Sequence, residues 1–128
     1  MARTICKVLG VVFVLAGLGG FAMPHLLGFH LTTIHNVIHI ASGAVAAYLG
    51  FSGSAGAVRT FCIVFGVVYL ALGVLGFVAP GVVAAVIGHP LVDSGELTPD
   101  NVFHIVVGAV FLLAGLTGPR AVPAGRAA

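Results

Sequence analysis

The chain has 128 residues, 60% of them hydrophobic and 6% charged, with a mean hydropathy of +1.24, whereas an ordinary soluble domain carries roughly 25% charged residues. Five Lys+Arg against three Asp+Glu give a net charge of +2. That is too little basic surface to neutralise a phosphate backbone, and there is no acidic tail, so nucleic-acid binding and disorder are excluded. These numbers describe an all-α integral membrane protein, one membrane domain over 1–128.

Crossing a hydrocarbon core of about 30 Å takes roughly 17 to 25 helical residues. Four stretches meet that length, predicting transmembrane helices over 5–22, 33–51, 60–79 and 99–116. They are continuously apolar, without the in/out alternation of a barrel strand, and four strands cannot close a barrel. Met23-Pro24-His25 breaks the chain after the first stretch, Ser52-Gly53-Ser54-Ala55-Gly56 after the second and Pro80-Gly81 after the third. Residues 81–97 form an outer loop in which 81–88 lie along the interface rather than crossing it. Thr98 before Pro99, with Asp100 next, is the N-cap, first-turn proline and dipole-complementing acid of the fourth helix. Residues 118–128 form a flexible tail.

Charge sets the orientation. Arg3, Lys7, Arg59, Arg120 and Arg126 all fall on one side, and Asp93, Glu96 and Asp100 on the other. The positive-inside tendency therefore places both termini in the cytoplasm and the protein in the cytoplasmic membrane.

A shift of 56 residues superposes Arg3-Thr4-Ile5-Cys6 on Arg59-Thr60-Phe61-Cys62, and Gly17, Gly20, Phe21 and Pro24 on Gly73, Gly76, Phe77 and Pro80. From Arg3 to Pro24, 11 of 22 positions are identical. A removable targeting signal has no reason to recur as an internal helix, so the first helix is expected to be retained. At a shift of 65, Asn36, His39 and Gly43 fall on Asn101, His104 and Gly108. The expectation is a bundle of two parallel two-helix repeats, 3–51 and 59–117, about a pseudo-twofold axis along the membrane normal. The Asn36-Val37-Ile38-His39 and Asn101-Val102-Phe103-His104 helices, with the glycine stripe from Gly66 to Phe77, resemble the bacterial membrane family catalogued as domain of unknown function 4383. The resemblance spans nearly the whole chain and implies a four-helix membrane protein, with no activity attached.

Helices in lipid associate by close backbone approach and interhelical hydrogen bonds rather than by hydrophobic burial. Gly10, Gly17, Gly43, Gly66, Gly73 and Gly108 are the expected packing positions. The polar candidates are Asn36, His39, Asn101 and His104; the histidines lie six residues past Thr33 and Thr98, at a depth where a polar side chain needs a partner, and the asparagines precede them by three on the same face. The simplest reading makes them interhelical hydrogen-bond clamps, with Gly43 and Gly108 clearing space beside the rings. Two further readings use the same residues. His39 and His104 would supply the axial nitrogens of a non-covalent haem b, or His35, His39, His104 and Asp100 would hold a metal ion, His35 and His39 being spaced i and i+4. Cys6 and Cys62 at the cytoplasmic ends are expected to be reduced packing thiols. No nucleophile with an adjacent base, phosphate loop or zinc-protease helix appears, so no enzymatic activity is expected. The leading expectation is a structural or accessory membrane subunit without a cofactor, whose partners are the bilayer and a larger membrane complex or further copies of itself; the alternative is a haem- or metal-binding redox protein.

Overall fold

Two hydroxyl caps fix where two of the long helices begin. Thr32 accepts the backbone N–H of His35 at 3.1 Å and Ser54 that of Ala57 at 3.2 Å, each satisfying a donor that a helix start leaves without an intrahelical partner. A computed structural model describes residues 1–89 and 94–118. In chain order the helices are α1 (Ala2–Ala22), α2 (Thr33–Ser52), α3 (Ala55–Val78), α4 (Pro80–Ile87) and α5 (Thr98–Thr117), with single 3-10 turns at Leu26–Gly28 and Ser94–Leu97. α1, α2, α3 and α5 are each long and apolar enough to cross a membrane.

Three expectations are corrected. The Ser54 cap starts α3 at Ala55, five residues before Thr60, so Ala55, Gly56 and Arg59 are helical rather than loop. Thr98 is not an N-cap, because the Ser94–Leu97 turn runs directly into α5 and places Leu97 at that position with no side-chain cap. Asp100 sits in the first turn of α5 but is turned inward and buried, so it does more than complement the helix dipole. The expected tail at 119–128 and Asp93 lie outside the described residues.

The helices form two antiparallel hairpins, α1 against α2 and α3 against α5. Arg3 of α1 donates to the carbonyl of Gly53 at 2.8 Å and lies 3.4 Å from that of Gly50, a cation on the carbonyl end of α2. Inside each hairpin glycine brings backbone onto backbone. A Cβ at Gly10 would press on the backbone N of Ala47 and stand 2.8 Å from the Gly43 carbonyl oxygen, and one at Gly66 would stand 2.5 Å from the backbone N of Leu112. Gly43 and Gly108 serve the same crossings, facing the α1 backbone and the α3 backbone respectively. They lie on the face of their helix that meets the partner, so the space they clear is for a neighbouring helix and not for a histidine ring. Gly17 abuts the Asn36 carbonyl and Ile40, and Gly73 the Asn101 carbonyl and Ile105.

Between the hairpins runs the core: Cys6 with Cys62, then Phe13, Tyr69 and Phe111. Phe13 stacks on Tyr69 at 5.5 Å between centroids and meets Phe111 at 6.5 Å.

Candidate functional site

All six histidines gather at the end of the bundle where α2 and α5 begin. His35 and His39 are one turn apart on the inner face of α2, and α5 brings His104 to them. The rings of His35 and His39 are 4.3 Å apart by centroid and those of His35 and His104 5.9 Å. One nitrogen from each ring lies within 4.8 Å of the others, and all three side chains are buried, 2%, 6% and 4% exposed.

Their nitrogens are in an unusual position for buried polar atoms. His35 Nε2, His39 Nδ1 and Nε2, and His104 Nδ1 have no hydrogen-bond partner among the described residues. An unmet polar group in a protein interior costs about 1 to 3 kcal/mol, and in hydrocarbon there is no water to compensate. His35 is also pre-set. Its Nδ1 is 3.0 Å from the carbonyl oxygen of His30, which can only accept, so in the neutral ring the proton sits on Nδ1 and Nε2 turns a lone pair toward the cluster. Metal-ligating histidines are commonly fixed in this way.

A cavity flanks the cluster on each side. One, of about 190 Å³, is lined by Val12, Ala16, Phe29, Asp100 and Phe103 together with the three histidines. The other, of about 150 Å³, lies under α4 and is lined by Val83 and Ile87 with Ser42, Phe65 and Tyr69. The short helix thus covers the gap between α2 and α3.

Aromatic rings form the floor. Phe13 stacks on His39 at 5.3 Å with the planes 17° apart, and Tyr69 meets His104 edge-on at 5.2 Å. This packing bears directly on haem. A porphyrin needs a flat slot between its two axial rings, whereas here His39 is stacked against Phe13 and also touches His35 one turn away. A haem would require these rings to separate, whereas a bare ion demands no such slot.

Asp100 lines the cavity with the triad but does not join the cluster of converging nitrogens. Its Oδ2 accepts the backbone N–H of His30 at 3.2 Å and stands 3.8 Å from His30 Nδ1, tying α5 to the α1–α2 loop. Asn36 and Asn101 are buried on the same helices as the triad, Asn36 between His35 and His39 and Asn101 one turn before His104, but neither bonds the facing helix. Asn36 Nδ2 donates to the Leu31 carbonyl at 3.3 Å, and both amide atoms of Asn101 lack partners among the described residues. Each amide lies against a glycine of the partner helix, Asn36 on Gly20 and Asn101 on Gly76, so closely that a Cβ there would fall on the amide oxygen. The clamp is steric. Cys6 and Cys62 stand 3.4 Å apart by sulfur, fully buried and unbridged.

Sequence reasoning left His25, His30 and His89 out of the candidate set. The α1–α2 loop and α4 carry them to the same end, and the signal was the confinement of every histidine to one side of the chain's charge map. Comparison with family models, with curated proteins and with solved structures returns no match.

Proposed function

We propose that this chain is a four-span protein of the cytoplasmic membrane that holds a transition-metal ion of the imidazole-preferring kind, such as Zn²⁺, between α2 and α5. One observation carries the reading: three buried histidines from two helices converge, and four of their six ring nitrogens have no hydrogen-bond partner among the described residues. Tetrahedral Zn–N bonds of 2.0 to 2.1 Å place ligand nitrogens about 3.4 Å apart, a contraction from the present 4.8 Å limit that small side-chain rotations supply. The cavity holding Asp100 leaves a fourth position open to a water molecule or a further ligand.

The ion enters and stops. Below the triad, Phe13, Tyr69 and Phe111 fill the space between the hairpins, so the geometry favours storage, sensing or bracing over transport across the bilayer. Binding is also favoured over catalysis, because Asp100, the carboxylate lining the cavity, is already engaged by His30.

The rest of the reading concerns setting. Large apolar side chains such as Leu15, Val67, Val106 and Leu113 are exposed on the spans, which suits a lipid surround. The charge map supports both termini inside and the histidine end outside. The recurrence of Asn on Gly in both hairpins supports two parallel repeats. A chain of 12.8 kDa with short loops suits an accessory role in a larger membrane complex or homo-oligomer.

The test is Co²⁺ titration of the full chain, purified in mild detergent without a polyhistidine tag, beside the His39→Gln/His104→Gln double variant. Intense visible bands of a four-coordinate ion, lost in the double variant, are expected. An untouched spectrum in the wild type would refute the metal reading, and a Soret band in the purified protein would replace the ion with haem.

A further inference from the structure

The histidines outside the triad form a second group directly above it. His30 is its centre: its ring meets His89 edge-on at 4.7 Å and His25 at 5.5 Å. These three line a cavity of about 250 Å³ together with Pro24, Leu31 and Thr32. Two Nδ1 atoms, of His30 and His89, are buried without a hydrogen-bond partner among the described residues. His25 is exposed, and His30 and His89 are half-buried.

Local folding explains the convergence. The loop after α1 is closed by the Leu31 N–H donating to the Pro24 carbonyl at 2.8 Å, which returns His30 beneath His25. At the far end of α4, Gly88 adopts a left-handed φ of 68° and lets the His89 N–H reach back to the Ala84 carbonyl at 2.8 Å. The Thr32 hydroxyl donates to the Ile87 carbonyl, fastening that turn to the start of α2. The His89 ring is thereby set against His30.

We infer that His25, His30 and His89, backed by Asp100, form an outer capture site for the same class of cation, and that this site loads the buried triad. The inference rests on the metal reading above for its destination. The two sites share a hinge. His30 lines the outer cavity and holds its Nδ1 3.8 Å from Asp100 Oδ2, while its carbonyl fixes the His35 ring. Asp100 in turn lines the cavity that holds His35, His39 and His104. A cation passing inward meets imidazole, then carboxylate, then imidazole, and never bare hydrocarbon. The carboxylate is well placed for this duty, since a divalent ion leaving the aqueous face needs a negative partner before it is desolvated. The exposed His25 forms the mouth.

The experiment measures both equilibrium and rate on the full, tag-free chain in detergent, with Co²⁺ as the probe. Isothermal titration counts ions; stopped-flow absorbance follows the four-coordinate bands of the triad. In His25→Gln/His89→Gln, the weaker of two binding events should vanish, the triad's affinity should stay within about twofold, and its loading rate should fall by about tenfold, the lower end of what loss of a supporting group costs a metal site. His39→Gln/His104→Gln should keep the outer event and lose the visible bands. Two ions bound with unchanged loading in His25→Gln/His89→Gln overturns the capture site and leaves the triad standing. An outer event with no triad bands in the wild type overturns the metal reading of the triad and the loading role together, leaving a surface cation site. One ion bound with wild-type kinetics in every outer variant, including His30→Gln, also overturns the inference. Retained helical circular dichroism in each variant shows that it has folded.

Discussion

Gly10 and Gly19 lie on the same helix, nine residues apart, and the same substitution should have opposite effects at the two positions. A methyl group at Gly10 would stand 2.8 Å from the Gly43 carbonyl oxygen and 2.9 Å from the Ala47 Cα, both backbone atoms that cannot rotate away. Comfortable contact begins near 3.5 Å, so α1 and α2 must part by about 0.7 Å, and a gap of that size forfeits a quarter to a half of the attraction at each atom pair it opens. Overpacking in a closely fitted interior costs about 1 to 3 kcal/mol. Because the obstacle here is rigid and this is the closest backbone-to-backbone approach in the hairpin, Gly10→Ala is expected at the upper end, about 3 kcal/mol. A methyl at Gly19 meets nothing within 4 Å, and alanine is the better helix former by about 1 kcal/mol, so Gly19→Ala should be neutral or slightly stabilising. Reversible unfolding in mixed detergent micelles, followed by circular dichroism, measures both. Equal effects at the two positions would show that glycine acts here through chain flexibility alone and would refute the close-crossing argument.

The Asn101 amide occupies the space a Gly76 side chain would need, so Gly76→Ala should destabilise by about 1 to 3 kcal/mol, and Asn101→Ala should relieve it. A double-mutant cycle should show a coupling of at least about 0.5 kcal/mol, and strict additivity would remove the steric clamp. Zn²⁺ or Co²⁺ at a hundredfold excess over its dissociation constant should raise unfolding stability by about 2.7 kcal/mol; a wild-type stability indifferent to the ion would contradict the triad site. The two sulfurs at 3.4 Å are separated by 56 residues of chain, so a membrane-permeant dithiol oxidant should form an intramolecular bridge that stabilises by up to about 4 kcal/mol on chain-entropy grounds. Thiol alkylation under denaturing conditions reads the bridge, and two fully alkylated cysteines after oxidation would show that the α1–α3 contact is not maintained.

The four spans could be read from hydropathy because length and composition alone decide whether a helix can cross lipid. Helix starts were less legible. The whole Ser52-to-Gly56 stretch read as a turn, and only the structure shows that a single Gly53-Ser54 step is enough, with Ser54 capping α3. The histidine pair one turn apart on α2 could be placed on one face from spacing. The repeat put His104 in the same candidate set, but how closely its ring approaches the α2 pair depends on the mutual placement of α2 and α5, which no local pattern encodes. Asn36 and Asn101 were recognisable as polar groups needing partners, yet their contact with Gly20 and Gly76 is a matter of shape, and shape is lost in a list of donors and acceptors. His89 was hardest, because its position depends on a short helix whose sequence, Pro80-Gly81 followed by six small apolar residues, advertises only that it is not a span.

Because the triad takes two members from α2 and the third from α5, the order of synthesis leaves the molecule incomplete for a definite interval. His39 and His104 are 65 residues apart, which at about 5 to 20 residues per second of translation amounts to roughly 3 to 13 s. Throughout that interval the first hairpin lacks the α5 partner that brings His104 against His35 and His39, whereas Asn36 is already covered by Gly20 of α1. A truncated or mis-inserted product would keep that histidine face unpartnered permanently. The finished protein hides it, so burial of the two α2 histidines is completed only when the last helix is in place.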